Sequence, residues 1–314
     1  MAPERRAPPP GGLPPPPPVL RYRVPMPSPT TLQPSVSTLD ATALDELRAA
    51  HALLETPGLA AQLANLVGAP LEYVMEKRLP APATKLVNAL VRKALAQSLR
   101  AAVATLGGAA APPRPHVHAL AAAASGAAGG AFGLAGLAVE LPVTTTLILR
   151  SIAEIARAEG ERLDDPEATL ACFQVLTMGG RASRDDGAES GYFAARAVLA
   201  QQVASAAEYV AVHGLVGKGG PLIVQLLSAV AARFSVNVSQ KLALQAVPLV
   251  GAATGAALNT LFMRHFQAMA RGHFTVRRLE RQYGVEAVRR AYDALGGDSL
   301  RVPGAGDGGP RDSG

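Results

Sequence analysis

Two long stretches rich in glycine and alanine constrain the fold of this chain more than any other feature. They cover residues 119–149 and 243–263, and each leads into a similar amphipathic helix. Small residues recur in them at three- and four-residue spacing, a pattern typical of glycine-zipper packing, in which helix backbones approach closely in a bundle core or a bilayer. The glycines with this spacing are Gly126, Gly129, Gly130, Gly133 and Gly136 in the first stretch and Gly251 and Gly255 in the second.

The composition of the two stretches is compatible with water and with a membrane. The first carries no charge before Glu140 and is long enough to cross a ~30 Å hydrocarbon core, but it consists mostly of alanine and glycine. The second is interrupted by Gln245, Pro248 and Asn259. Three interpretations stay open: a tightly packed soluble core, a membrane-associated or re-entrant hairpin, and a spanning helix.

The rest of the sequence predicts an all-α fold. Alanine is abundant and alternating runs of valine, isoleucine and threonine are scarce, which favours helices over strands. We predict a single multi-helix bundle domain over residues 40–295, with roughly eight to ten helices and two Gly/Ala-packed hairpins. Residues 1–39 are rich in proline and residues 296–314 are of low complexity, so both ends are predicted to be extended or disordered.

Individual helices are predicted from capping residues and helix breakers. Asp40 is the predicted N-cap of the first helix, and Asp164 and Asp165 before Pro166 are predicted to cap the helix at 166–178. Residues 107–118 are predicted to form a loop that holds His116 and His118 in solvent. The helices are predicted at residues 40–55, 83–106, 166–178, 190–212, 256–282 and 284–294, and a further helix starts at Pro221.

A repeated pattern links the two helices that follow the glycine-rich stretches. Residues 146–157 (TLILRSIAEIAR) align with residues 260–271 (TLFMRHFQAMAR). In each copy three large apolar residues share one helical face and two arginines share another. This pattern predicts an internal duplication whose two hairpins pack around a pseudo-twofold axis, with a chance match between alanine-rich helices as the alternative.

Charge, aromatic content and cysteine content narrow the possible functions. The formal net charge is +6, which suits an anionic membrane surface or nucleic acid. Aromatic residues make up only 4% and tryptophan is absent, so nucleic acid is not an expected partner. The single cysteine, Cys172, excludes an internal disulfide and a cysteine-based zinc site. No signal peptide is recognisable at the start, so we expect a cytoplasmic protein, free or peripheral to the inner face of the membrane.

Four blocks of the sequence carry a recognisable pattern: ELPVTTTLILRSIAEIARAEGE, DDPEATLACFQV, DDGAESGYFAAR and QAVPLVGAATGAALNTLFMRHFQAMARGHFTVRRLERQYG. Together they resemble the EcsC protein family over about residues 70–290. That family is named after a bacterial gene beside an ABC-transporter operon. The resemblance therefore implies a bacterial protein, membrane-associated or cytoplasmic, with a membrane protein such as a transporter as one possible partner. It implies no catalytic residues, because no biochemical activity is established for the family.

The sequence offers only weak candidates for catalysis. A carboxylate between apolar runs, as at Glu140, is costly to bury unless it is paired. Together with Glu189 and His265 it would form a carboxylate–imidazole set of the kind that a hydrolase or a metal-dependent enzyme uses. The simpler interpretations are a salt bridge for Glu140 and a helix cap for Glu189. No Walker A, dinucleotide or G-x-S-x-G motif accompanies them, and neither a cofactor nor a metal site is predicted.

Further polar residues are candidates for ion pairs or for contact with lipid. Arg150, Arg196 and Arg264 are the expected partners of Glu140. The arginines of residues 277–281 form either a solvated basic face or a contact with anionic head groups, which the basic residues of 85–100 would extend. The candidate polar or lipid-facing residues are Arg150, Glu154, Asp186, Tyr192, Arg196, Asn259, Arg264, Arg271, His273, Arg277, Arg278 and Arg281.

Three functional hypotheses follow from these observations. The first is a non-enzymatic, membrane-proximal accessory protein that binds lipid or a membrane partner. The second is an enzyme, such as a hydrolase, that uses Glu140, Glu189 and His265. The third is a soluble, self-associating scaffold. Clustering of the three candidate residues around one pocket would favour the enzyme, whereas separate caps and salt bridges would favour the first hypothesis.

Overall fold

Every element with defined bounds in the described part of the chain is an α-helix, as the composition predicts. The structure is a computed structural model that describes residues 38–55, 59, 61–63, 81–106, 115–131, 133–178, 191–213, 220–245 and 251–300. Within these residues the helices are α1 (Ala41–Leu54), α2 (Ala81–Leu106), α3 (Pro115–Ala131), α4 (Gly133–Ala158), α5 (Pro166–Val175), α6 (Gly191–His213), α7 (Pro221–Gln245), α8 (Gly251–Tyr283) and α9 (Val285–Leu300). The prediction of an all-α, multi-helix bundle is confirmed.

Capping residues set several helix ends where the sequence predicts them. Asp40 caps α1, because its side chain accepts a 2.7 Å hydrogen bond from the backbone N–H of Ala43. Asp165 caps α5 through a 2.9 Å bond from the N–H of Glu167. Gly284 separates α8 from α9 at a φ of 89°, a left-handed conformation that glycine adopts without strain.

The loop predicted over residues 107–118 does not extend to its last four residues. Helix α3 begins at Pro115, so His116 and His118 lie in its first turn. Proline suits this position because its fixed φ matches the helix and its missing N–H is not needed there. His116 is exposed, but His118 is partly buried and its Nε2 lies 2.8 Å from Oε1 of Glu154 on α4. The prediction is therefore wrong in placing both histidines in a loop and in placing His118 in solvent, whereas His116 is exposed as predicted.

Helix α8 is the central helix of the bundle. It packs against α1, α3, α4, α5, α7 and α9 and contributes a series of buried phenylalanines, among them Phe262, Phe266 and Phe274. Around it, α3 packs against α4, α4 against α2, α2 against α7, and α7 against α6. Helix α4 therefore has α2 and α3 as neighbours.

The first glycine-rich stretch forms a hairpin of two helices. Ser125 Oγ on α3 lies 3.5 Å from Thr144 Oγ1 on α4, and the His118–Glu154 contact joins the opposite ends, so the two helices run antiparallel. Gly126 of this hairpin faces the second stretch. A Cβ added to it would overlap the backbone oxygen of Gly255 and lie 2.6 Å from Nδ2 of Asn259. The predicted close backbone approach is thus present between these two glycines.

One helix in the described part of the chain has the length and apolar composition to cross a membrane. It covers Pro221–Ala243 of α7 and belongs to neither of the two glycine-rich runs singled out above, apart from its last residue. Half of that span is buried inside the bundle. Core helices of soluble proteins have the same length and composition.

The aligned helices of the suspected duplication bury corresponding faces. The apolar trios Ile148, Ile152 and Ile155 on α4 and Phe262, Phe266 and Met269 on α8 are all buried. Arg150, Arg264 and Arg271 are exposed, as the amphipathic pattern predicts. The duplication itself stays a prediction.

Candidate functional site: buried polar contacts and a basic face

Glu140 and Lys241 form a salt bridge deep in the bundle. Their side chains are 2% and 3% exposed, and the Lys241 ammonium donates directly to the Glu140 carboxylate. The Phe262 ring lies 5.7 Å from Nζ of Lys241 and adds a cation–π attraction. Burial lowers the pKa of Lys241, and the negative charge of Glu140 opposes that shift. The pair therefore ties α4 to α7 inside the core.

The three arginines expected to pair with Glu140 do not do so. Arg150 and Arg264 are exposed, and Arg196 binds Glu280. Those predicted pairings are wrong because the true partner, Lys241, lies 101 residues further along the chain, where no local pattern connects it to Glu140. The structural salt bridge that the sequence suggested for Glu140 is present, with a different cation.

Asn259 is the polar centre of the contact between α3, α4 and α8. Its Nδ2 donates to the backbone oxygen of Ala122 at 2.8 Å and to Oγ1 of Thr144 at 3.3 Å, and the residue is fully buried. Gly126 leaves the space that this side chain occupies. The carboxamide therefore fastens the glycine-rich hairpin to the central helix.

A second buried network joins α6 to α8. Arg196 donates two hydrogen bonds, of 2.7 and 2.8 Å, to the carboxylate of Glu280. One turn away, Oη of Tyr192 lies 2.9 Å from Nδ1 of His273. Burial raises the pKa of Tyr192, and burial together with the charges of Arg196 and Arg277 holds the pKa of His273 well below its ordinary value. Both side chains are therefore neutral at pH 7. The network brings together three of the candidate residues, Tyr192, Arg196 and His273.

The arginines near the end of α8 are paired with carboxylates. Burial would raise the pKa of Glu161, but hydrogen bonds and charges from Arg277 and Arg281 lower it overall. The solvated basic face predicted over residues 277–281 is therefore wrong, because these arginines hold the turn between α4 and α5 against α8. The pairs are Arg277 with Glu161 at 2.8 Å, Arg281 with Glu161, and Arg278 with Glu159 at 2.8 Å and Glu46 at 3.1 Å.

The weak catalytic candidates do not share a site in the described part of the chain. His265 is buried and hydrogen-bonds to the backbone of Met178, whereas Glu140 is paired with Lys241. Glu189 and Asp186 lie outside the described residues. Among the residues that the structure describes, no group of three or more His, Cys, Asp or Glu side chains could hold a metal ion. The two catalytic candidates that the structure describes, Glu140 and His265, therefore have separate partners.

His265 makes the stability of the bundle depend on pH. Burial lowers its pKa to about 4, whereas the pKa of a histidine in the unfolded chain is about 6.5. The unfolded chain therefore binds the extra proton first, so the free energy of unfolding falls as the pH drops from about 6.5 towards 4 and is unaffected above that window. We expect His265→Gln to reduce the loss between pH 7 and pH 5 by about 2 kcal/mol, measured by urea unfolding at both pH values. Equal losses of unfolding free energy in the variant and the unchanged protein would contradict the role of His265. The pKa of His273 is also lowered, but His273 is present in both proteins and does not affect their difference.

Among the residues that the structure describes, α2 and residues 115–153 of the α3–α4 hairpin carry no exposed acidic side chain. Residues 81–153 contain a single acidic residue, Glu140, which is buried and paired. On α2, Lys85, Arg92 and Lys93 are exposed, and none of them forms an ion pair with another described residue. Arg150 adds an exposed cation on α4. No described carboxylate therefore neutralises the exposed cations of this region.

Exposed aliphatic side chains accompany these cations. Leu120 on α3 is 74% exposed and Val139 on α4 is 71% exposed, while Val117 and Val143 on the hairpin and Leu86 on α2 are also exposed. Because α4 packs against both α2 and α3, these exposed residues lie on three neighbouring helices. We call this surface the basic face; it consists of Lys85, Leu86, Arg92, Lys93, Val117, Leu120, Val139, Val143 and Arg150.

The sequence predicted only part of the basic face. The cations of α2 were expected to extend a patch around residues 277–281, but the structure places them beside the glycine-rich hairpin. The absence of acidic residues over most of 81–153 is the sequence signal that would have found the surface. The other candidates, Glu154, Arg264 and Arg271, lie apart from it: Glu154 contacts His118, and the two arginines are exposed on α8.

Comparison with known proteins gives one relation. Residues 108–279, more than half of the 314-residue chain, match the EcsC protein family. No curated protein and no solved structure gives a significant match. The matched region spans α3 to most of α8, and therefore includes the hairpin and the central helix, whereas α2 precedes it.

Proposed function

The chain belongs to the EcsC protein family, and we propose that it is a non-enzymatic, cytoplasmic protein that binds peripherally to anionic membranes. The observation that carries the proposal is the basic face, in which exposed cations and exposed aliphatic side chains occur on neighbouring helices and no described residue of 81–153 adds an exposed acidic group. That combination matches the chemistry of a lipid head-group layer above an acyl-chain boundary.

The expected strength of this interaction follows from the charges. Each Lys or Arg near the surface of an anionic leaflet contributes about 1 kcal/mol, so the three cations of α2 together contribute roughly 3 kcal/mol. The attraction decays over a Debye length of about 8 Å at physiological ionic strength, so it requires cations that reach the lipid. The exposure of Lys85, Arg92 and Lys93 on one helix meets that requirement.

Nucleic acid and acidic proteins are also anionic, but the neighbouring residues favour a membrane. The basic face carries valines and leucines beside its cations and no aromatic side chain on which a base could stack. Transfer of these aliphatic groups from water into the lipid interface is favourable. A phosphate backbone offers them no comparable environment.

Neutralising the three cations of α2 tests the proposal. We expect Lys85→Gln/Arg92→Gln/Lys93→Gln to weaken binding to vesicles with 30–40% anionic lipid (roughly the range where such binding is strong) about 100-fold at low salt, in cosedimentation. The matched control is Arg264→Gln/Arg271→Gln/Arg290→Gln, which removes the same charge from exposed positions outside the basic face and should bind within about twofold of the unchanged protein.

Two results would overturn this proposal. Equal weakening in both triple variants would mean that net charge, not the basic face, governs binding. Tighter binding to a short DNA duplex than to anionic vesicles at the same salt concentration would identify nucleic acid as the partner.

A further inference from the structure

We infer that the α3–α4 hairpin lies flat in the head-group region of the membrane, so that its four exposed aliphatic side chains enter the lipid interface at one depth beside the cations of α2. This inference rests on the proposed function and adds which part of the molecule meets the lipid and in what orientation. The four side chains are Val117, Leu120, Val139 and Val143.

The positions of these side chains along the hairpin argue for a flat orientation. The helices run antiparallel; α3 ends at Ala131 and α4 begins at Gly133. At a rise of 1.5 Å per residue, Val139 lies about 9 Å from the start of α4 and Val117 about 21 Å from the end of α3. A hairpin that entered the membrane with its turn first would place them at very different depths. A flat hairpin brings all four to the same level.

The charges of the hairpin argue for shallow insertion. Glu140 is the acidic residue of the hairpin before residue 154, and it is buried and neutralised by Lys241. Its charge therefore does not repel anionic head groups at the outer side of the hairpin. Arg150 is exposed and, by helical spacing, lies on the same side of α4 as Val139 and Val143. A guanidinium is costly at the centre of the hydrocarbon core but binds phosphate groups at the head-group level. Arg150 therefore limits how deep this surface enters.

The interior contacts of the hairpin allow it to bind without leaving the bundle. Asn259 and the Gly126–Gly255 approach fasten the inner side of α3 to α8. Oγ of Ser98 on α2 lies 3.0 Å from Oγ1 of Thr146 on α4, and this hydrogen bond joins α2 to the hairpin. The outer side is thus presented to lipid by a packed support, as a peripheral surface requires.

Environment-sensitive fluorescence at single introduced cysteines tests the orientation. The natural thiol, Cys172, is buried and its pKa is raised to about 12 by burial, so it does not compete for label. Val117→Cys, Leu120→Cys, Val139→Cys and Val143→Cys are each labelled with an NBD dye, with Val198→Cys on α6 and Val285→Cys on α9 as exposed controls. With vesicles containing phosphatidylserine, we expect a blue shift at all four hairpin positions, similar quenching by a shallow lipid-borne quencher, and no change in the controls.

Three outcomes count against the inference in different ways. Quenching by a deep lipid-borne quencher that decreases steadily from Val139 to Val117 would indicate insertion with the turn first and would overturn the flat orientation. Vesicle binding by the unlabelled protein without any change at the hairpin probes would overturn the inference and leave the proposed function standing. Failure of the unlabelled protein to sediment with the vesicles would overturn the proposed function itself.

A second variant separates the contribution of the aliphatic side chains to vesicle binding from the contribution of the cations. Leu120→Ser/Val139→Ser replaces the two most exposed of the four side chains, so it leaves the core intact. We expect about a tenfold loss of affinity for the same vesicles with an unchanged dependence on salt concentration. Unchanged affinity would contradict insertion of these side chains.

Discussion

Replacing Lys241 with alanine is expected to lower the free energy of unfolding by about 3–5 kcal/mol. The substitution removes the cation that neutralises Glu140, whose side chain is 2% exposed. A carboxylate left alone at this depth must either stay charged without solvent or take up a proton, and both cost free energy. Urea unfolding at pH 7, followed by circular dichroism, measures the loss.

The double variant Glu140→Leu/Lys241→Met provides the control for that result. It removes both charges and keeps apolar side chains of similar volume, so its stability should lie within about 2 kcal/mol of the unchanged protein or exceed it. If Lys241→Ala alone were as stable as the unchanged protein, the buried salt bridge between α4 and α7 would not exist. If the double variant were as unstable as the single one, packing rather than charge would be the cause.

Gly126→Val is expected to destabilise the bundle by about 3 kcal/mol. Replacing a helical glycine at an exposed site usually stabilises a protein, because glycine loses the most backbone entropy on folding. At residue 126 the sign reverses, since a Cβ would overlap the backbone oxygen of Gly255, which cannot swing aside as a side chain can. Separating α3 from α8 would also break the hydrogen bond from Asn259 to Ala122.

Ala124→Val is the matched control for Gly126→Val, because residue 124 lies on the same helix and is exposed. It should cost no more than about 0.5 kcal/mol, the helix-propensity difference between the two residues. Gly126→Ala should fall between the two variants. Equal thermal unfolding temperatures for Gly126→Val and Ala124→Val would contradict the close approach of α3 and α8.

Local features of the sequence sufficed for the fold class and for several helix ends. Asp40 and Asp165 cap their helices through hydrogen bonds that span two or three residues, so the pattern that predicts them is also the interaction that forms. The first turn of α3 was missed for the opposite reason. A proline at the start of a helix has the same sequence signature as a proline in a loop, and the partner of His118 lies 36 residues away.

The polar contacts of the core could not be assigned from sequence because their partners are distant. Glu140 pairs with Lys241 across 101 residues, and Arg277 pairs with Glu161 across 116. Periodicity identifies the helical face on which a residue lies, but not which other helix that face meets. The arginines of α8 therefore resembled a free basic patch, although carboxylates from other elements neutralise them.

The glycine-rich hairpin has two sides with different roles. Its inner side, at Gly126, meets the central helix more closely than any larger residue would permit. Its outer side carries exposed valines and a leucine next to the cations of α2. The sequence could not separate the soluble from the membrane interpretation of this stretch, because one helix serves packing on one side and exposes apolar groups on the other.

Fractionation of cells that contain the native protein tests peripheral membrane binding most directly. The basic face predicts that the protein sediments with membranes at low ionic strength, that a high-salt wash releases most of it, and that alkaline carbonate releases the remainder. Retention after carbonate would contradict peripheral binding, because it would mean that apolar helices of the bundle enter the hydrocarbon core. Complete recovery in the soluble fraction at low ionic strength would contradict membrane binding altogether.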